Sequence, residues 1–159
     1  IALGPYATFY FESYETMLAQ VQEMLYIEKG GDEQLSDELN AYNPLVPNGK
    51  ELIATVMFEI DNPILRIEFL EKVGGIENFI YLKIENEKII GRPENDVDRT
   101  SAEGKASSVQ FVHFDFKKDQ ILKFKENNTE VSIGINHKDY SHIIILNEIN
   151  KKALCSDFY

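Results

Sequence analysis

The stretch Glu51-Leu52-Ile53-Ala54-Thr55-Val56-Met57-Phe58-Glu59-Ile60 decides the fold. Side chains alternate across a strand. Leu52, Ala54, Val56, Phe58 and Ile60 therefore line one face, and Ile53, Thr55, Met57 and Glu59 the other. Both faces carry apolar residues. Such a strand belongs in the middle of a sheet that is covered, at least in part, on both sides. Val56 is expected in a central strand and not at an edge.

Upstream, Tyr6 to Phe11 is aromatic and β-prone and reads as a strand. Ser13 caps a helix and leaves Glu15 in its first turn, where the helix dipole favours an acid. Tyr14, Met17, Leu18, Val21, Met24 and Leu25 recur at helical spacing and form its expected inner face. Thr16, Gln20 and Glu23 make a polar line beside it. Gly30-Gly31 ends this helix. Asp32 caps a shorter one, with Leu35, Leu39 and Tyr42 turned inward.

Downstream, Asp61 caps a helix with Pro63 in its first turn. Its inner stripe is Ile64, Ile67, Leu70 and Val73. Asn78 to Glu85 and Lys88 to Gly91 form a hairpin around Asn86-Glu87. Ser108 to Phe116 is a strand, and Asp119 caps a helix to about Glu126. Thr129 to Asn136 and Ser141 to Leu146 are strands joined by the turn His137 to Tyr140. Asn147 caps a last helix. With about seven strands, four or five helices and short connections, the expected fold is α+β. Residues 1–159 form one domain with a mostly antiparallel sheet and helices packed on it.

The chain has 159 residues, 43% hydrophobic and 27% charged, a globular balance. Acids outnumber bases 27 to 16, for a net charge of -11. That surface repels phosphate backbones, so nucleic-acid binding is not expected. An anionic membrane surface is disfavoured for the same reason, and no apolar run approaches the ~18 residues of a membrane span. Cys155 is the single cysteine, which excludes an internal disulfide and fits a reducing, cytoplasmic compartment. It sits beside Ala153 and Leu154 and reads as a small buried hydrophobe. The serines lack the Gly-x-Ser-x-Gly setting of an activated nucleophile. Asp96, Asp98 and Glu103 do not match the spacing of a calcium loop.

Two sets of residues are candidates for a site. The first lies in the long polar loop between Gly91 and the strand Ser108 to Phe116, because loops of that length are commonly functional or disordered. Only three arginines occur, and two are here, Arg92 and Arg99. With Lys105, Ser107 and Ser108 they form a candidate anion-binding pocket, since a guanidinium grips a carboxylate or phosphate with two parallel hydrogen bonds. Thr100 and Ser101 add hydroxyl donors. The competing reading is internal pairing of Arg99 with Asp96, Asp98 or Glu103. The second set is Glu12, Glu23, His113, Asp115 and His137, whose carboxylates and imidazoles suit iron, manganese or zinc. His113 and Asp115 share a strand face. Against a metal, the same residues read as capping, turn and core groups.

Several motifs are family-like. Leu3-Gly4-Pro5 is followed by Phe11-Glu12, then Gln22-Glu23-Met24-Leu25 with Glu28. Later come Asp98-Arg99, Gly104-Lys105 with Ser107-Ser108-Val109-Gln110-Phe111, and the His137 to Tyr140 turn. Over nearly the whole chain these resemble an uncharacterised bacterial family, domain of unknown function 3501. The resemblance implies a basic N-terminal segment ahead of Ile1. It also implies a redox or iron context, because family genes lie beside those of rubrerythrin-like and iron–sulfur oxidoreductase proteins. Family members often carry His where this chain has Gln110, which weakens any role that needs a histidine there. The expected function is a non-catalytic binding or accessory protein of redox or iron metabolism, with redox proteins as partners. The alternative is a metalloenzyme using Glu12, Glu23 and His137. The cofactor is left open, with a transition metal such as iron as the candidate.

Overall fold

β3 (Glu51–Phe58) is the third of five strands in an antiparallel sheet, between β2 (Ala7–Glu12) and β7 (Val109–Asp115). Val56 pairs with Phe9 on one side and Gln110 on the other and is fully buried. The short strands β1 (Ala2–Leu3) and β6 (Arg92–Pro93) form the edges. The computed structural model describes residues 1–94 and 100–159.

The other strands form a second sheet rather than extending the first. It runs in the order β5 (Glu87–Ile90), β4 (Ile80–Ile84), β8 (Val131–His137), β9 (Tyr140–Ile145), all antiparallel. The expected α+β, antiparallel architecture is present, with its strands among the described residues divided between two sheets of five and four. The reason lies in the apolar faces. Ile80, Leu82 and Ile84, with Val131, Ile133 and Ile135, join one buried cluster with Phe9, Leu52, Ala54, Val56, Phe58, Val112 and Phe114 of the first sheet. Two alternating faces bury each other by packing face to face. Gly134 lies on the far side of the second sheet, where a Cβ would lie 2.4 Å from the outer end of the Tyr81 ring and force it to turn aside.

Among the described residues five α-helices surround the sheets. α1 (Tyr14–Glu28) starts at the expected Ser13, whose hydroxyl accepts from the Thr16 amide at 3.2 Å. It ends on Lys29, which takes the left-handed conformation at φ 54. α2 (Gly31–Tyr42) follows with no side-chain cap. Met17 of α1, and Leu45 just after α2, pack on Ile53 of the first sheet's outer face, and Thr16 of α1 bonds to Glu12 beside them. Of the inner face expected for α1, Met17 and Val21 are buried while Tyr14 and Leu18 are exposed, and α2 has no buried residue where an inward face was expected. α3 (Pro63–Lys72) is capped by Asn62 and not Asp61, and it buries Leu70 while Ile64 and Ile67 face out. α4 (Lys118–Lys125) and α5 (Glu148–Leu154) close the core with Phe124 and Leu154, joined by Phe158. No helix among the described residues is long and apolar enough to cross a membrane.

Candidate functional site

The outer face of the first sheet carries Tyr10 and Glu12 from β2, Glu51, Ile53, Thr55 and Met57 from β3, and Val109, Phe111, His113 and Asp115 from β7. A strand face this polar is unusual beneath a helix. The Met17–Leu45–Ile53 plug divides it into a cleft and a charged cluster.

The cleft has a volume of about 520 Å³ and lies between β2, β3, α1 and α5. A recess of about 200 Å³ adjoins it and shares Glu12, Met17, Gln20, Thr55 and Met57. Among the described residues Glu12 is the only lining residue with a charged side chain, while the Ile1 amino group at the margin donates to the Phe9 carbonyl at 2.8 Å. The Thr55 hydroxyl donates to Glu12 Oε1 at 2.6 Å, and the Thr16 hydroxyl donates to Oε2 at 2.7 Å. The two bonds fix the carboxylate plane. Each oxygen has a second lone pair, so the group can accept further donors. Gln20 Nε2 donates to the Tyr42 hydroxyl at 3.3 Å and closes one side. Phe9, Phe11, Met17 and Met57 supply apolar wall. The Tyr10 hydroxyl at the rim is engaged elsewhere: it donates to Glu59 at 2.9 Å. That bond is the main cause of the rise in the tyrosine pKa, while the Thr8 and Tyr10 hydroxyls hold the Glu59 carboxyl below its ordinary value.

The charged cluster lies at the start of β3. His113 Nδ1 is 3.0 Å from Glu51 Oε2, and both side chains are buried. Arg92 makes two parallel bonds to Asp115, at 3.0 and 3.2 Å, and its Nη2 is 3.8 Å from Glu51. The bond to Asp115 is the chief reason that the Arg92 pKa is raised. Glu94 Oε1 is 3.9 Å from His113 Nε2. The imidazole therefore has a carboxylate near each nitrogen.

The expected metal set is not assembled. Glu12 lies in the cleft, Glu23 is exposed on α1, and His113 faces Glu51. His137 belongs to the second sheet, where its ring meets Phe79 edge-on and Nδ1 accepts from the Asp139 amide at 3.2 Å. Asp115 shares the strand face of His113, as expected, but is held by Arg92. Among the described residues no group of three or more His, Cys, Asp or Glu side chains is placed to hold a metal ion.

Of the expected anion set, Arg99 lies outside the described residues, as do Asp96 and Asp98. Arg92 is bonded to Asp115. The Ser107 hydroxyl accepts from the Val109 amide at 3.2 Å, and the Ser108 carbonyl accepts from Phe58. The Thr100 hydroxyl accepts from the Gly75 amide and donates to Glu77. Lys105 is half-buried, and its amide donates to the Ser101 hydroxyl. These bonds fold residues 100–107 back onto the end of α3, where the Ala106 amide donates to the Leu70 carbonyl.

Sequence reading missed Glu51, Thr55 and Tyr42. A carboxylate opening an otherwise apolar strand was the available signal for Glu51. Thr16 and Gln20 stood out as a polar line on α1, without their partners.

A crystal structure of a novel protein of unknown function from Burkholderia pseudomallei has the same fold, with a TM-score of 0.90 and 30% identity over 100% of this chain and 83% of that one. No curated protein matches. The model of the family described as protein of unknown function, DUF3501, matches residues 1–158. Every element described above falls within that match, and the chain belongs to the DUF3501 family.

Proposed function

We propose that this chain is a non-catalytic binding protein that takes the amine end of a small amphipathic ligand at Glu12. The carrying observation is the carboxylate itself, fixed by Thr55 and Thr16 in a cleft whose described lining has no lysine or arginine. The cleft volume is in the range of small-molecule sites, about 300–1,000 Å³. A partly desolvated anion among apolar walls favours a cationic donor, and the aromatic walls add attraction for it.

The link to redox and iron metabolism, redox-protein partners and a cytoplasmic place belong to the same proposal. They rest on the resemblance in sequence and on the unpaired Cys155. The metalloenzyme reading gains no support from the placement of Glu12, Glu23 and His137.

Titration with phenethylamine and with 2-phenylethanol, followed by amide chemical shifts, tests the Glu12 assignment. The amine should bind saturably and shift residues of β2, β3 and α1, while the alcohol binds at least tenfold more weakly. Glu12→Gln keeps an oxygen acceptor for one of the two threonine hydroxyls, and the other can turn to accept from the new amide; it should abolish the preference. Equal binding of both probes, or an unchanged preference in Glu12→Gln, refutes the proposal.

A further inference from the structure

A second cavity, of about 470 Å³, lies where α4 meets α5. It is lined by Lys125, Asn127, Glu148, Lys151, Lys152 and Cys155. Three lysines in one cavity stand out in a chain of net charge -11, where acidic partners are plentiful. Yet among the described residues no carboxylate forms an ion pair with any of the three. Glu148 lines the same cavity without reaching them.

The three ammonium groups differ in what they already do. Lys151 is buried, and its Nζ donates to the carbonyls of Glu126 and Thr129, the latter at 2.8 Å. It satisfies the carbonyl-rich end of α4, where a cation is favoured. Lys125 Nζ donates once, to the Phe158 carbonyl at 2.9 Å, which leaves two donors. Lys152 is exposed and has no bonded partner among the described residues. The half-buried Cys155 thiol is at the wall. Burial pushes its pKa up, and the positive charges of Lys125 and Lys151 pull against that rise, so both amines act on the sulfur.

We propose that this cavity is an anion site for a small phosphate-bearing molecule, gripped by Lys125 and Lys152, with Lys151 supplying fixed positive charge and Asn127 an amide donor. Lysine binds phosphate as a point charge, and several converging ammoniums suit a dianion better than a single carboxylate. The volume leaves room for an organic body beyond the phosphate. The acidic remainder of the surface excludes a polyanion such as nucleic acid.

The sole cysteine provides the readout. Iodoacetamide is uncharged and does not compete with an anion for the lysines; it alkylates the thiolate, so a bound anion slows it both by covering the sulfur and by offsetting the lysine charges. Alkylation of the full chain is followed by mass spectrometry with inorganic phosphate, glycerol 3-phosphate, glycerol, or sodium chloride at matched ionic strength. Both phosphates should slow alkylation several-fold and saturably, glycerol 3-phosphate at the lower concentration. Glycerol and chloride should not. Lys152→Ala removes no bonded partner and should weaken the protection tenfold or more with the melting temperature unchanged. Lys125→Gln should do the same with some loss of stability. Equal protection by chloride, absence of protection, or protection that survives Lys152→Ala overturns the proposal.

Discussion

His113 Nδ1 lies 3.0 Å from Glu51 Oε2 inside the first sheet's outer face, with both side chains buried. A carboxylate only accepts, so the ring proton on that side sits on Nδ1. His113→Leu leaves the buried Glu51 with Arg92 at 3.8 Å as its nearest charged partner. We expect it to destabilise by about 1–3 kcal/mol, the cost of an unmet buried acceptor. Glu51→Gln retains an oxygen acceptor for the ring and should cost less than His113→Leu. Urea unfolding of both variants and of the double variant checks this. Additive losses would show that the two residues do not act as a pair.

The Tyr140 hydroxyl ties the two sheets together. It donates to the Leu3 carbonyl at 2.5 Å and accepts from the Ala7 and Tyr6 amides at 3.0 and 3.2 Å. Tyr140→Phe strands these groups and should cost about 1–3 kcal/mol. Burial raises the Tyr140 pKa above 10.0, and the two amides pull it back in part. A folded pKa above the unfolded one gives stability that is complete below the unfolded value. That stability is lost as pH rises through the folded value. Tyr140→Phe should therefore lower stability at pH 7 and show a shallower further loss above pH 10.

β3 was legible because its two apolar faces, Leu52–Ala54–Val56–Phe58 and Ile53–Met57, can both be buried only at a sheet centre. The second sheet was not. The alternation of Ile80, Leu82 and Ile84 says that one face is buried, and not what it is buried against. Half of the cleft could be seen: Glu12 as a carboxylate near a cap, and Thr16 and Gln20 as a helical line. Its other half depends on register. β2 pairs Glu12 with Ile53 and Tyr10 with Thr55, so Thr55 reaches Glu12 only along a diagonal. Glu51 likewise stands opposite Asp115 and meets His113 diagonally, a relation that spacing along the chain does not encode.

Gly134 and Tyr81 stand opposite each other on the uncovered face of the second sheet, with Lys88 Nζ 3.9 Å from the Tyr81 ring centre. A methyl group at residue 134 would lie 2.4 Å from the ring. Gly134→Ala should destabilise by about 1–3 kcal/mol, as the ring must rotate off its strand and away from Lys88. Tyr81→Ala removes the obstacle. In that background Gly134→Ala should be neutral or stabilising, because alanine loses less backbone freedom than glycine on folding. Thermal melts of the four proteins decide it, and a loss that persists in the Tyr81→Ala background would place the strain elsewhere.

Asp157 lies in the short turn after α5, and its pKa is raised, first by burial and then by the negative charge of Glu15 in the first turn of α1. The sign follows from linkage. A folded pKa above the unfolded one means that the folded state holds its proton more tightly. The associated stability is present below the ordinary aspartate value of 3.8 and is lost as pH rises through the folded value. At neutral pH the ionised Asp157 thus works against the fold. Asp157→Asn should raise the melting temperature at pH 7, by an increment of about 0.5 kcal/mol for a partly exposed site. The gain should shrink with falling pH and vanish below 3.8, where both side chains are neutral. Glu15→Gln should give a smaller gain at pH 7 and add little to Asp157→Asn, because the repulsion it relieves is already gone. Melting curves between pH 3 and pH 7 test both statements. A gain for Asp157→Asn that does not change with pH would mean that the aspartate acts through packing and not through its charge.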